Sequence, residues 1–415
     1  MDLERSRLIL TIVWEKMMSK NSVPEVRFKN FEKKWALYLL SEYSTYRRGS
    51  FPQPYGNKEW YDGDNSMPFV QVVDVLENLR LTDDTKQKIS TLAQPMSVFV
   101  PSDSVIVTLQ GSIGRVAITQ YDAYVDRTIL IFEDYNSQTN KDFWAYTIRN
   151  KFEIERQKAP GGTIKTITKE ALSDFKVSIP EYTEQTAVGS LFRTLDDLLS
   201  SYKDNLTNYQ YLKATMLSKM FPKAGQTVPE IRLDGFEDRW EEKEFIQIVN
   251  RVTESSDSDA LPKVEFEDII SGQGKLNKDI SSKFDNRKGI LFKPGYTLYG
   301  KLRPYLNNWL LPKFEGVALG DFWVFDPNGN NSDFIYYLVQ SSRYQKVAND
   351  TSGTKMPRSD WKSVSTTVFA IPQTIAEQQA IGAYFSNLDN LINSHQEKIS
   401  QLEILKKKLL QDMFI

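Results

Sequence analysis

The sequence predicts an α+β protein built as an internal pseudo-twofold duplication. Two mixed, β-rich domains are each followed by a long helix, and the two helices pair as an antiparallel coiled coil. Three observations carry this expectation. The segment EQTAVGSLFRTLDDLL at 184–199 returns as EQQAIGAYFSNLDNLI at 377–392, identical at eight of sixteen positions. PEVRFKNFEKKW at 24–35 returns as PEIRLDGFEDRW at 229–240. After each Ile-Pro, which marks a boundary for the preceding strand, apolar residues follow a 4-3 spacing for nearly five heptads, the signature of a helix seam.

The elements follow in order. Residues 1–23 form an N-terminal extension around RLILTIVW, read as an added amphipathic helix or as residues upstream of a start at Met17 or Met18. Residues 24–180 form the first domain, with β-branched runs around a Gly turn in SVIVTLQGSIGRVAIT (104–119). A central long helix spans 181–221, and PKAGQTV at 222–228 is a linker whose Pro and Gly follow the helix stop. The second domain covers 229–372, with strand-like runs broken by Pro-Gly and Arg-Pro in 289–311, and the C-terminal long helix covers 373–415. Gly-Thr stands ahead of both helices, at 162–163 and 353–354, and both helices close on Met-Phe. A repeat of this length means duplicated domains, since solenoid units are about 20–50 residues.

In the helices the seam runs through Val188, Phe192, Leu195 and Leu199, and through Ile381, Phe385, Leu388 and Ile392. It is interrupted at Lys213 and at its counterpart Lys406, a matched polar position expected to fix register. A second apolar stripe, Leu191, Leu198 and Leu212 with Tyr384, Leu391 and Leu405, widens the face beyond a two-stranded seam. A helix apolar over that arc expects a further neighbour. His395 falls on the seam where the first copy has Tyr202, and a packing role is expected of it. The run KKK at 406–408 reads as a solvated face favoured by the helix dipole and is not counted as a DNA site.

Composition narrows the chemistry. The chain has 415 residues, no cysteine, one histidine and a formal net charge of −2. Disulfides, thiolate nucleophiles and Cys-based zinc sites are excluded, and a His-centred triad or metal site is disfavoured. The lack of cysteine suits a reducing cytoplasm, and no apolar run reaches the roughly 20 residues of a membrane span. SGQGK (271–275) lacks phosphate-loop spacing and reads as a turn. FEIERQK (152–158) reads as a charged helix face. No Asn-Pro-Pro-aromatic motif or glycine-rich S-adenosylmethionine loop is present, so no catalytic residue is assigned and no metal site is expected.

The duplicated order Pro-Glu-[Val/Ile]-Arg, a divergent stretch, Gly-Thr, Ile-Pro, the helix motif and a closing Met-Phe resembles the specificity subunit of Type I restriction–modification enzymes. GYTLYGKLRPYLNN (295–308) and GTKMPRSDWKSV (353–364) are similar to segments of that family's target-recognition domains. The resemblance covers 24–415. It implies a non-catalytic chain with two target-recognition domains, each reading one half of a bipartite double-stranded DNA target. The helices would set the spacing and dock two methyltransferase subunits. S-adenosylmethionine would sit on that methyltransferase. ATP and Mg would belong to restriction subunits, two of them where present, and no cofactor to this chain.

Arginine and lysine pair with guanine edges, asparagine and glutamine with adenine, and aromatic side chains steady the backbone. The candidate DNA-binding residues are therefore Tyr46, Arg47, Arg48, Gln110, Ser112 and Arg115 in the first copy. In the second they are Lys301, Arg303, Tyr305, Asn307, Asn308, Lys355 and Arg358. The rival reading is a structural scaffold whose duplicated β-rich domains bind protein or carbohydrate. It fits the acidic pI of about 5.8 and the lack of whole-chain basicity.

Overall fold

The computed structural model describes residues 23–158, 172–280, 286–350 and 356–414, the side chains of 156–158 excepted. Residues 1–22 of the N-terminal extension and both Gly-Thr pairs lie outside these residues. The chain forms two units. One runs to Tyr202 and includes Lys398–Ile415, and the other is Lys203–Glu397. Four helices matter for function: α1 (Lys141–Lys158), α2 (Tyr182–Lys219), α3 (Ser332–Leu338) and α4 (Ile375–Met413). The unit boundaries fall inside α2 and α4, so each unit contains the start of one long helix and the end of the other.

In the first unit a four-stranded antiparallel sheet has the order 44–48, 129–135, 105–108, 116–118. The second unit repeats it as 250–252, 322–326, 297–300, 309–310. A second sheet keeps three strands in both units. Met67–Val70 lies parallel to Ala123–Val125, which is antiparallel to Val98–Val100. The counterparts are Lys263–Val264, Gly316–Ala318 and Gly289–Phe292. Its fourth strand differs. Gln87–Ile89 pairs with Met67–Val70 in the first unit, whereas Ser255–Ser256 pairs with Gly289–Phe292, at the opposite edge, in the second. The divergent middle of each repeat is thus one sheet framework with a different edge.

A two-stranded ribbon closes each unit beneath its long helix, Ala36–Leu39 with Lys176–Ile179 and Glu241–Glu244 with Val368–Ile371. The Ser271–Gly274 segment is the turn of a hairpin pairing Ile269–Ile270 with Lys275–Leu276. Phe152, from the FEIERQK segment, is buried in the first core.

The helix motif anchors to these frames residue for residue. Glu184 accepts two hydrogen bonds from the Arg27 guanidinium at 2.6 and 2.7 Å, and Glu377 accepts two from Arg232 at 2.7 and 2.8 Å. Trp240 adds a third to Glu377 at 3.0 Å. These bonds hold both arginines above their ordinary pKa. Each glutamine bridges two backbones. Gln185 donates to Pro180 O and accepts from Asn140 N, and Gln378 donates to Pro372 O and accepts from Asn331 N. Asn140 and Asn331 in turn cap α1 and α3 through the amides of Phe143 and Phe334. The motif glycine permits this approach: a Cβ on Gly189 would stand 2.5 Å from Asn140 Oδ1, and one on Gly382 2.7 Å from Asp333 Cβ.

The closing Met-Phe is an anchor too. Met413 and Phe414 are buried in the first unit's core, with the Phe414 ring 5.6 Å from that of Phe143. Met220 and Phe221 are buried in the second, with Phe221 5.7 Å from Phe334.

Candidate nucleic-acid interface and helix anchors

Each unit has one polar triad where α2 and α4 meet, buried in the first unit and partly buried in the second. In the first, Asp196 accepts from the Tyr146 hydroxyl and pairs with Lys406, whose ammonium lies 5.3 Å from the Tyr146 ring centre. In the second, Asp389 accepts from the Tyr337 hydroxyl at 2.8 Å and pairs with Lys213 at 2.7 Å. The Lys213 ammonium lies 5.5 Å from the Tyr337 ring centre. Burial and the adjoining carboxylate hold both phenols well above their usual pKa, so they remain donors. The polar skip in each seam is therefore a cation reaching the aspartate of the opposite helix. Lys406 is buried, which corrects the reading of 406–408 as one solvated face. His395 packs on Tyr209 with ring centres 5.2 Å apart, in line with a packing role.

The eight seam residues are all buried. Val188, Phe192 and Leu195 do more than face another helix, because they belong to the first unit's core. Ile381, Phe385 and Leu388 likewise belong to the second. In the outer stripe, Leu191 packs on the first core, and Leu212 and Tyr384 on the second, so these three serve folding. Leu198, Leu391 and Leu405 stay exposed at 42%, 41% and 45%. The sequence reading missed Tyr211 and Ile404, exposed at 75% and 66%. They occupy the same position of the two repeats, and that paired apolarity outside the seam was the available signal.

The hairpin loops hold most of the candidate DNA contacts. Residues 109–115 and 301–308 occupy the matching connection in the two sheets, between the third and fourth strands. Gln110 is half-buried and Ser112 exposed, and Arg115 makes a loose contact with Glu77 at 3.6 Å. In the second loop Arg303 and Asn307 hold left-handed backbone, φ 47° and 57°, around a single 3-10 turn. This turn presents Tyr305 58% exposed beside the exposed Arg303. Lys301 and Arg358 share Asp321, at 3.7 and 3.0 Å, and that carboxylate raises the Arg358 pKa.

Two candidates are drawn into the fold. Asn308 is buried, donates to Phe266 O and accepts from Ser271 Oγ, so both ends of its amide are engaged within the unit. Tyr46 is half-buried with its ring 6.0 Å from Phe132. Arg47 and Arg48 are exposed on the same strand, Arg47 paired with Glu133 at 2.6 Å. Lys355 lies outside the described residues. Arg47, Lys301 and Arg358 are thus each already paired with a surface carboxylate, contacts weak enough to be exchanged for another anion.

Among the described residues no helix is long and apolar enough to cross a membrane. The family model for the Type I restriction modification DNA specificity domain matches twice, over 32–208 and 243–404. A curated relative, the Type I restriction enzyme MjaVIII specificity subunit of Methanocaldococcus jannaschii, is 18% identical over 341 residues, covering 75% of this chain and 78% of its own. The crystal structure of a Type I restriction–modification S subunit from M. genitalium shares the fold, with TM-score 0.61, 14% identity and coverage of 95% of this chain and 99% of that one. A structure from work on assembly and conformational transition of the type I R-M system has TM-score 0.52, 13% identity and coverage of 91% and 96%.

Proposed function

The chain belongs to the Type I restriction–modification DNA specificity family, and on that premise we propose how its two units divide the work. It is a non-catalytic specificity subunit, and its role is to give a DNA-modifying complex its sequence. Each unit reads one half of a bipartite duplex target through its hairpin loop, 109–115 in one and 301–308 in the other. The exposed apolar positions Leu198 and Ile404, and their repeat counterparts Leu391 and Tyr211, take two methyltransferase subunits, one for each copy of the patch. S-adenosylmethionine belongs to those partners, and ATP and Mg to restriction subunits joining the same core.

One observation supports this reading above the rest. The anchors Arg27/Arg232, Glu184/Glu377, Gln185/Gln378, Gly189/Gly382 and the two Tyr–Asp–Lys triads are built twice with the same partners. The loops between matching strands share neither length nor chemistry. A constant mounting with changed loops suits two readers of different sequences. Co-expression with the methyltransferase and mapping of the methylated sites tests it: a split target supports the reading, and a continuous one overturns it.

A further inference from the structure

The first unit holds an open cleft of about 610 Å3 beside its hairpin loop. Arg115 and Ser112 enter it from the loop, Arg149 from α1 and Lys407 from the end of α4, with Glu77 and Glu153 on its walls. The guanidinium of Arg149 donates to Glu77 O at 3.0 Å, which fixes its head at the rim. Three cations face two carboxylates, and the Glu77 carboxylate is 81% exposed and 3.6 Å from Arg115, a contact readily exchanged. The repeat shows where this cleft departs from the shared frame. Lys407 corresponds to Ala214 in the first copy of the helix, and Arg149, nine residues after the cap Asn140, corresponds to the buried Gln340, nine after Asn331. At both positions the first unit carries a cation where the other repeat has none.

We propose that this cleft holds a backbone phosphate of the DNA half-site read by the first unit, with Arg149, Arg115 and Lys407 as its cationic walls. The inference rests on the specificity reading and adds a role for α4. A residue of the second repeat's helix takes part in binding the first half-site. Two guanidinium forks and an ammonium beside an exposed serine hydroxyl suit a tetrahedral oxyanion better than a base edge, because they offer donors almost alone.

Lys407→Ala is the direct test, since the side chain is exposed and alanine suits a helix. The control is Lys408→Ala, a neighbouring exposed lysine that does not line the cleft. The full chain, assembled with its methyltransferase partner, is titrated with target and non-target duplex at several salt concentrations. Lys407→Ala should weaken both duplexes by the same factor and flatten the log–log salt slope by about one. Lys408→Ala should leave the slope unchanged. A duplex with one neutral methylphosphonate, scanned along the first half-site, should erase the difference between wild type and Lys407→Ala at a single position. Equal effects of the two lysines, or no position that erases the difference, overturn the cleft assignment. Wild-type complex that binds target and non-target alike would instead overturn the specificity reading, while the slope difference still reports on the cleft.

Discussion

Lys406→Met should be among the most damaging single changes in the first unit. The Lys406 and Asp196 side chains are only 10% and 9% exposed. Removing the cation strands a carboxylate in a largely dry site, and breaking a buried pair in this way costs about 3–5 kcal/mol. Replacing both partners, as Asp196→Leu with Lys406→Met, leaves no charge behind. The Tyr146 hydroxyl then keeps Phe192 O as its acceptor at 3.0 Å, so no buried donor is orphaned. The double variant should therefore recover at least about 2 kcal/mol relative to the single one. In the second unit Lys213 and Asp389 are 14% and 23% exposed, so Lys213→Met should cost less. The surface pair Lys33–Glu181, exposed at 82% and 39%, should cost under about 1 kcal/mol. Urea unfolding gives each value as the midpoint shift multiplied by the slope. A Lys406→Met cost below about 1 kcal/mol, or a double variant as unstable as the sum of its singles, would refute the triad as a desolvated register lock.

Four further outcomes follow. Gly189→Ala gains about 1 kcal/mol of helix propensity but places a methyl 2.5 Å from Asn140 Oδ1, so it should lower stability by about 1–3 kcal/mol net in urea unfolding. Leu198→Asp with Leu391→Asp should abolish co-purification with the methyltransferase while circular dichroism is unchanged, because both side chains are more than 40% exposed. A 1–221 fragment should sediment as an isologous dimer, since each copy carries the Asp196 and Lys213 that two triads require. Burial pushes Tyr299 up to about 12 and raises Tyr135, Tyr146, Tyr336, Tyr337 and Tyr344 as well. A raised folded pKa gives stability that is full below the unfolded value near 10 and lost above it. The part of the tyrosinate absorbance that comes from these six buried phenols should accordingly appear together with unfolding once the pH passes about 10.

The long helices and the buried seam were legible because each is a periodicity within a short window, and the duplication because two short segments, 24–35 and 184–199, return at 229–240 and 377–392. The Lys213 and Lys406 interruptions were legible as register marks, but their partners were not: Lys406 meets Asp196 across 210 residues, and nothing local links them. The same distance hid the meaning of Glu184, whose arginine lies 157 residues away. Its preservation in both copies, alongside that of Arg27 and Arg232, was the available clue. Loop residues were hardest to read. Asn308 looks like an adenine reader in sequence, yet Phe266 O and Ser271 Oγ, brought near by the sheet, occupy its amide. Lys407 sat in a run that reads as solvated, because the cleft it lines is completed by Arg115 and Arg149, more than two hundred residues earlier.

The division of the target between the two units is tested most directly by mapping methylated sites genome-wide in cells carrying the wild-type chain or Arg303→Ala, an exposed loop residue. The account predicts a split target for wild type. For the variant it predicts relaxed preference, by about 1–3 kcal/mol at one base, confined to one half while the other half is untouched. A continuous wild-type target, or relaxation spread over both halves, would contradict it.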